Sequence, residues 1–143
     1  MNIPNHTQSA HIARDIRRMQ QWQRNQSTPW SDVHISWSGN SYGAYCLTQT
    51  VGGANGAPTT AVVYHLIHWS TEIASIEFRA DEITRVSFLA SYISTTTRGF
   101  QSRILQGLQQ AGFDTNEIVH ELALPTDQRG SVTYLTDRFG RSL

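Results

Sequence analysis

Between Ser91 and Leu108 a β-type run gives way to a hydroxyl-capped helix, and no other stretch limits the architecture of this chain so tightly. Thr95 or Thr96 is expected to cap a helix reaching about Ala111, because a short hydroxyl side chain satisfies an unpaired first-turn N–H. Phe100, Ile104, Leu108 and Ala111 recur at helical spacing and are expected to pack on a sheet. Gly99 and Gly107 each cost a helix interior about 1 kcal/mol relative to Ala, so close approach to the sheet is the expected reason for Gly107.

The rest of the chain supplies that sheet. From Thr7 or Ser9 to about Asn25, Ile12, Ile16, Met19 and Trp22 form the apolar stripe of a first helix. Val33, Ile35 and Trp37 alternate with His34 and Ser36. The chain then turns through residues 38–43 into residues 44–50, which is the pattern of a β-hairpin. Residues 52–58 form a loop by composition, read either as a functional flap or as the end of a long hairpin. Residues 61–69, 73–78 and 83–89 read as strands, 116–122 as a short helix and 131–136 as a returning strand. With no repeat and no linker, the 143 residues are expected to make a single domain. The predicted fold is α+β, with an antiparallel sheet of about five or six strands and the N-terminal and Thr96–Ala111 helices on one face.

Eleven basic residues, all arginine, balance eleven acids, so no overall field draws the molecule to nucleic acid or to an anionic membrane. Either kind of binding would need a local patch. The complete absence of lysine reads as genome base composition, as avoidance of lysine modification, or as demand for the planar guanidinium fork. Cys46 is the only cysteine, which rules out an intrachain disulfide and a multi-thiolate zinc site and fits a reducing compartment. No apolar run approaches the roughly 18 residues of a membrane span, and no basic-then-apolar leader opens the chain. A soluble cytoplasmic protein is expected, without a membrane partner.

Several motifs invite chemistry. Gly39–Asn40–Ser41–Tyr42–Gly43 satisfies the G-x-S-x-G pattern, but it lies before a strand and its residues are those a hairpin turn needs. His65 and His68 suggest a ligand or proton-transfer role, yet residues three apart on a strand face opposite ways. Their other reading is as surface or half-buried histidines. Cys46, between Tyr45 and Leu47, reads as a small buried hydrophobe. No catalytic set, metal site or cofactor is expected.

The best physical candidate is Thr95–Thr96–Thr97–Arg98, because a helix N-terminus offers free N–H groups and about half a positive charge to a phosphate or carboxylate. Capping alone also explains it. Arg14, Arg17, Arg18 and Arg24 on the first helix lie off the apolar stripe among five glutamines between Gln8 and Gln26, which reads as a solvated face or as an anion- or partner-binding one. Together with Arg98 and Arg103, and with Trp30, Trp37 or Trp69 as stacking groups, they could bind a single strand.

His68–Trp69–Ser70–Thr71–Glu72–Ile73–Ala74 and Ser94–Thr95–Thr96–Thr97–Arg98–Gly99–Phe100–Gln101 resemble a family of small, uncharacterised phage-encoded domains. That family joins a Tyr-Ser-Tyr/Ser-Thr-x-Ile-Ala segment through a strand to a Thr-Thr-x-x-x-Gln helix start. The resemblance spans about Tyr42 to Leu108, and Gly99 and Phe100 stand where the family places Lys and His. It implies a phage-type accessory protein in the host cytoplasm that binds a host protein or nucleoprotein complex, as a counter-defence inhibitor does. Two other functions are compatible with the residues: direct nucleic-acid binding through the arginines, and a small-ligand binder or enzyme using the histidines or the 52–56 loop.

Overall fold

Alternation sorts the residues of each strand between two faces. In the computed structural model, which describes residues 3–25, 35–39, 41–53, 55–90, 94–123 and 130–143, it produces one six-stranded antiparallel sheet. The strands are β1 (Ser36–Gly39), β2 (Tyr42–Gly52), β3 (Pro58–His68), β4 (Thr71–Arg79), β5 (Thr84–Leu89) and β6 (Ser131–Thr136), and they lie in sequence order across the sheet. Helix α1 (Gln8–Asn25) precedes the sheet, while α2 (Thr95–Gln110) and α3 (Asn116–Ala123) interrupt it before β6. The expected α+β fold is therefore the observed one. Val33, His34, Trp30 and residues 91–93 lie outside the described residues.

Register carries one row of side chains from strand to strand on the covered face. Tyr42 pairs with His68, Ala44 with Leu66, Leu66 with Ala74, Ala74 with Phe88 and Phe88 with Val132. This inner face meets Ile12, Ile16 and Met19 of α1 and Phe100, Ile104 and Leu108 of α2, all fully buried. The outer face keeps Tyr45, Leu47 and Leu135 exposed. Such one-sided covering is what antiparallel sheets tolerate and parallel ones rarely do.

The two long helices run side by side in the same direction. Arg103 of α2 bonds to Gln8 of α1 at 2.7 Å, and Arg17 further along α1 reaches the carbonyl of Gln110 at 2.8 Å. Gly107 permits this approach: a Cβ there would stand 2.6 Å from Ile12 Cγ2 and 3.1 Å from the Ser9 carbonyl. Its crowding neighbour is thus α1, whereas the sequence suggested the sheet.

Two sequence expectations change in other ways. Trp37 is buried at 6% exposure because its inward position on β1 faces α1 and α2. The glutamine-rich side of α1 is partly interior. Gln8, Gln20 and Gln23 are buried, and Gln23 donates to the carbonyls of Arg79 and Ile83 at 3.2 and 3.1 Å. Such bonds satisfy backbone groups where strand pairing stops at the β4–β5 turn. Of the two readings of the 52–58 loop, the long hairpin end is the observed one: Gly52 pairs with Pro58, and the Gly53 N–H reaches the Ala57 carbonyl at 2.7 Å. Among the described residues no helix is long and apolar enough to cross a membrane.

Candidate functional site

Two turns and one helix start meet at the end of the sheet where α2 begins. β3 and β4 are joined by Trp69 and Ser70 alone, since His68 and Thr71 pair as the last residues of the ladder. A loop this short favours left-handed backbone. Trp69 adopts it, at φ 57°, and its N–H is tied to the Ser41 carbonyl of the β1–β2 turn at 2.7 Å. Holding a bulky residue there costs on the order of 1–3 kcal/mol and presents its indole to solvent. Trp69 is 77% exposed, the most exposed large hydrophobic side chain among the described residues.

Facing it, Ser94 caps α2. Its backbone is extended (φ −70°, ψ 164°), and its Oγ accepts the Thr97 N–H at 3.1 Å. The cap is thus Ser94, while Thr95 and Thr96 are the first helical residues. Thr97 turns inward: its hydroxyl lies 3.0 Å from Ser94 Oγ and 2.7 Å from His68 Nδ1. This chain of polar groups closes a cleft of about 510 Å³ lined by Ser41, His68, Trp69, Thr71, Ser94, Thr96 and Thr97 with two aliphatic side chains. Thr95 and Arg98 are exposed outside it.

His68 is the polar residue that sequence reasoning could not place. It is 8% exposed, stacked on Tyr42 with ring centroids 4.7 Å apart. Tyr42 in turn carries the Arg103 guanidinium 5.0 Å from its centroid. Burial first, and the Arg103 charge second, hold the imidazole below the ordinary histidine pKa, so it is neutral at pH 7. Nδ1 is engaged by Thr97, whereas Nε2 has no hydrogen-bond partner among the described residues and remains accessible. A neutral imidazole beside hydroxyls can donate or accept according to its tautomer, which suits a polar, uncharged contact better than a fixed charge.

The remaining sequence candidates do not converge on this cleft. Arg103 is half-buried over the tilted ring pair of Tyr42 and Phe100, 5.0 and 5.6 Å from their centroids, and bonded to Gln8, and its Nη2 is enclosed without a hydrogen-bond partner among the described residues. Arg17 ties the end of α2, and Arg14 sits 3.1 Å from His11 Nδ1. Arg18 is exposed on α1. Arg17 therefore marks the far end of α2 from Arg98, a span of about 18 Å at 1.5 Å per residue.

His65 lies on the outer face, stacked on Tyr45 at 4.9 Å and bonded to Glu72 and to Gln49 Oε1, so it never meets His68. Cys46 is half-buried with its Sγ 3.4 Å from Met19 Sδ, and burial pushes its thiol pKa far up, which leaves it unreactive. The Ser41 of the G-x-S-x-G pattern stands in the β1–β2 turn, with no described histidine bonded to it. Among the described residues no three His, Cys, Asp or Glu side chains gather as metal ligands.

A second buried polar group, which the sequence hid, lies between α1 and the inner face of the sheet. Asp15 of α1 is 2% exposed and accepts at Oδ2 from Trp37 Nε1 (2.9 Å) and Tyr64 OH (2.7 Å). Desolvation raises its pKa against the lowering effect of those two bonds and of Arg14 and Arg18. Comparison of the chain with protein-family models, curated proteins and solved structures finds no match.

Proposed function

We propose that this is a phage-type accessory protein that acts by binding a host macromolecule, as a counter-defence inhibitor would, and that the partner seats on Trp69 and the hydroxyl cleft beside it. The observation that carries the proposal is the placement of Trp69: an indole 77% exposed on a strained two-residue turn that is braced from the neighbouring turn. Strain held at a surface position points to function, and Trp is enriched among residues that dominate binding energies. The polar groups around it are neutral, in keeping with a chain of zero net charge. The two segments that carry the phage-family resemblance, residues 68–74 and 94–101, also supply most of the cleft: His68, Trp69, Thr71 and Ile73 from one, Ser94, Thr96 and Thr97 from the other.

The test is a pull-down with tagged wild-type protein and Trp69→Ala, each from nuclease-treated and untreated host lysate, followed by affinity measurement on the purified partner. The reading predicts a protein partner that survives nuclease and binds the variant at least about 30-fold more weakly, the loss expected for a dominant interface residue. Equal binding by wild type and variant would remove the cleft from the interface. Robust turnover with no retained partner would replace the binding function altogether.

A further inference from the structure

At the opposite end of the molecule, beyond the β4–β5 turn, three guanidinium groups surround one ring. The Cζ atoms of Arg24, Arg138 and Arg141 lie 5.3, 4.9 and 5.8 Å from the centroid of Phe139. Arg24 comes from the last turn of α1, and the other two flank Phe139 in the segment after β6. Asp137 shapes that segment by accepting the N–H groups of Phe139 and Arg141 at Oδ1, at 2.8 and 3.0 Å. Arg138 is paired with Glu82 at 2.9 Å. Arg24 and Arg141 are exposed and have no carboxylate partner among the described residues. Phe139 itself is 46% exposed.

Two guanidinium groups that have no carboxylate partner among the described residues, beside a half-exposed aromatic ring, match a ligand that carries an anion next to a planar apolar group. A carboxylate-bearing peptide would use the charges and leave the ring idle. A nucleotide would use both, since guanidinium forks grip phosphate oxygens and either the ring or a guanidinium plane offers a stacking surface to the base. We propose that Arg24, Arg141 and Phe139 form a nucleotide-binding site, with the phosphate held by the two arginines and the base packed against Phe139. The ligand is either a free nucleotide or a residue of a single strand. The site is independent of the Trp69 cleft and, of the arginines singled out in the sequence, includes Arg24 alone.

The test titrates a short fluorescein-labelled oligothymidylate into wild-type protein at several salt concentrations, with thymidine monophosphate, unlabelled oligothymidylate and polyglutamate as competitors. Arg24→Gln/Arg141→Gln should weaken binding at least about tenfold and reduce the slope of log K against log salt by about 0.7, the contribution of one lost single-strand phosphate contact. Phe139→Leu should weaken it about fivefold or more through lost stacking. Arg98→Gln, at the other end of the molecule, should bind like wild type. All variants alter exposed side chains, and unchanged melting temperatures verify their folding. Displacement by thymidine monophosphate at similar molar concentration identifies a free nucleotide, and displacement by the unlabelled oligomer alone identifies a strand. The proposal is overturned if no probe binds at low salt, if the double arginine variant binds like wild type, or if polyglutamate competes as well as the oligomer at equal charge.

Discussion

Replacing each of the two glycines of α2 by alanine should change stability in opposite directions. Both substitutions gain about 1 kcal/mol of helix propensity. At Gly99 the added methyl meets nothing nearer than Arg103 Nη1 at 3.6 Å, an ordinary contact, so Gly99→Ala should keep that gain. At Gly107 the methyl would stand 2.6 and 2.9 Å from Ile12 Cγ2 and Cβ, on a buried branched side chain that has no room to turn. Overpacking of a core costs roughly 1–3 kcal/mol, and contacts this short belong near the top of that range, leaving a net loss of about 2 kcal/mol. In a domain of this size the melting temperature should rise by about 2–4 °C for Gly99→Ala and fall by about 4–8 °C for Gly107→Ala. Urea unfolding at 25 °C gives the free energies, with an unchanged slope showing that the unfolded state is the same. Adding Ile12→Ala should recover part of the Gly107→Ala loss, a coupling of about 1–2 kcal/mol in a double-mutant cycle. A Gly107→Ala protein as stable as wild type would refute the close parallel packing of α1 on α2.

Asp15→Asn keeps an acceptor for Trp37 and Tyr64 without a buried charge. Because the folded pKa of Asp15 is raised, its contribution is fully present below the unfolded carboxyl pKa and is lost as pH rises through the folded value. The variant should therefore gain on wild type from acid to neutral pH in thermal melts, and a gap that stays constant with pH would contradict the assignment. Asp15→Ala should lose roughly 1–3 kcal/mol, since it strands the buried Tyr64 hydroxyl and leaves Trp37 Nε1 only its 3.2 Å bond to Tyr64 OH. Arg103→Gln should raise the His68 pKa, read by NMR titration of the ring protons, and no movement would show that the Arg103 charge does not reach the imidazole. Ser94→Ala should destabilise by about 1 kcal/mol while Thr95→Ala stays within about 0.5 kcal/mol, and the reverse order would return the cap to Thr95.

The strands were legible because their alternation is local: residues 131–136 alternate cleanly and form β6 with the expected bounds. The helix start after residue 93 was legible as a region, not as a residue, since Ser94, Thr95, Thr96 and Thr97 can all cap and only the backbone angles at Ser94 select it. Buried polar groups were the illegible part. Gln23 and Asp15 look like surface residues of an amphipathic helix, and their partners lie 22 to 61 residues away. Likewise, nothing local to residues 68 or 97 announces the bond between His68 and Thr97, because it depends on how the α2 start is laid against the β3–β4 turn. The exposure of Trp69 follows from a two-residue turn whose length pattern alone does not reveal, as apolar character runs on from β3.

The most direct test of the proposed binding surface is photo-crosslinking in host cells from p-benzoylphenylalanine placed at position 69, with position 135 on the outer sheet face as the comparison. The account predicts a discrete crosslinked protein from position 69 and none from position 135. Crosslinks from position 135 with none from position 69 would contradict it and move the interface to the uncovered face of the sheet.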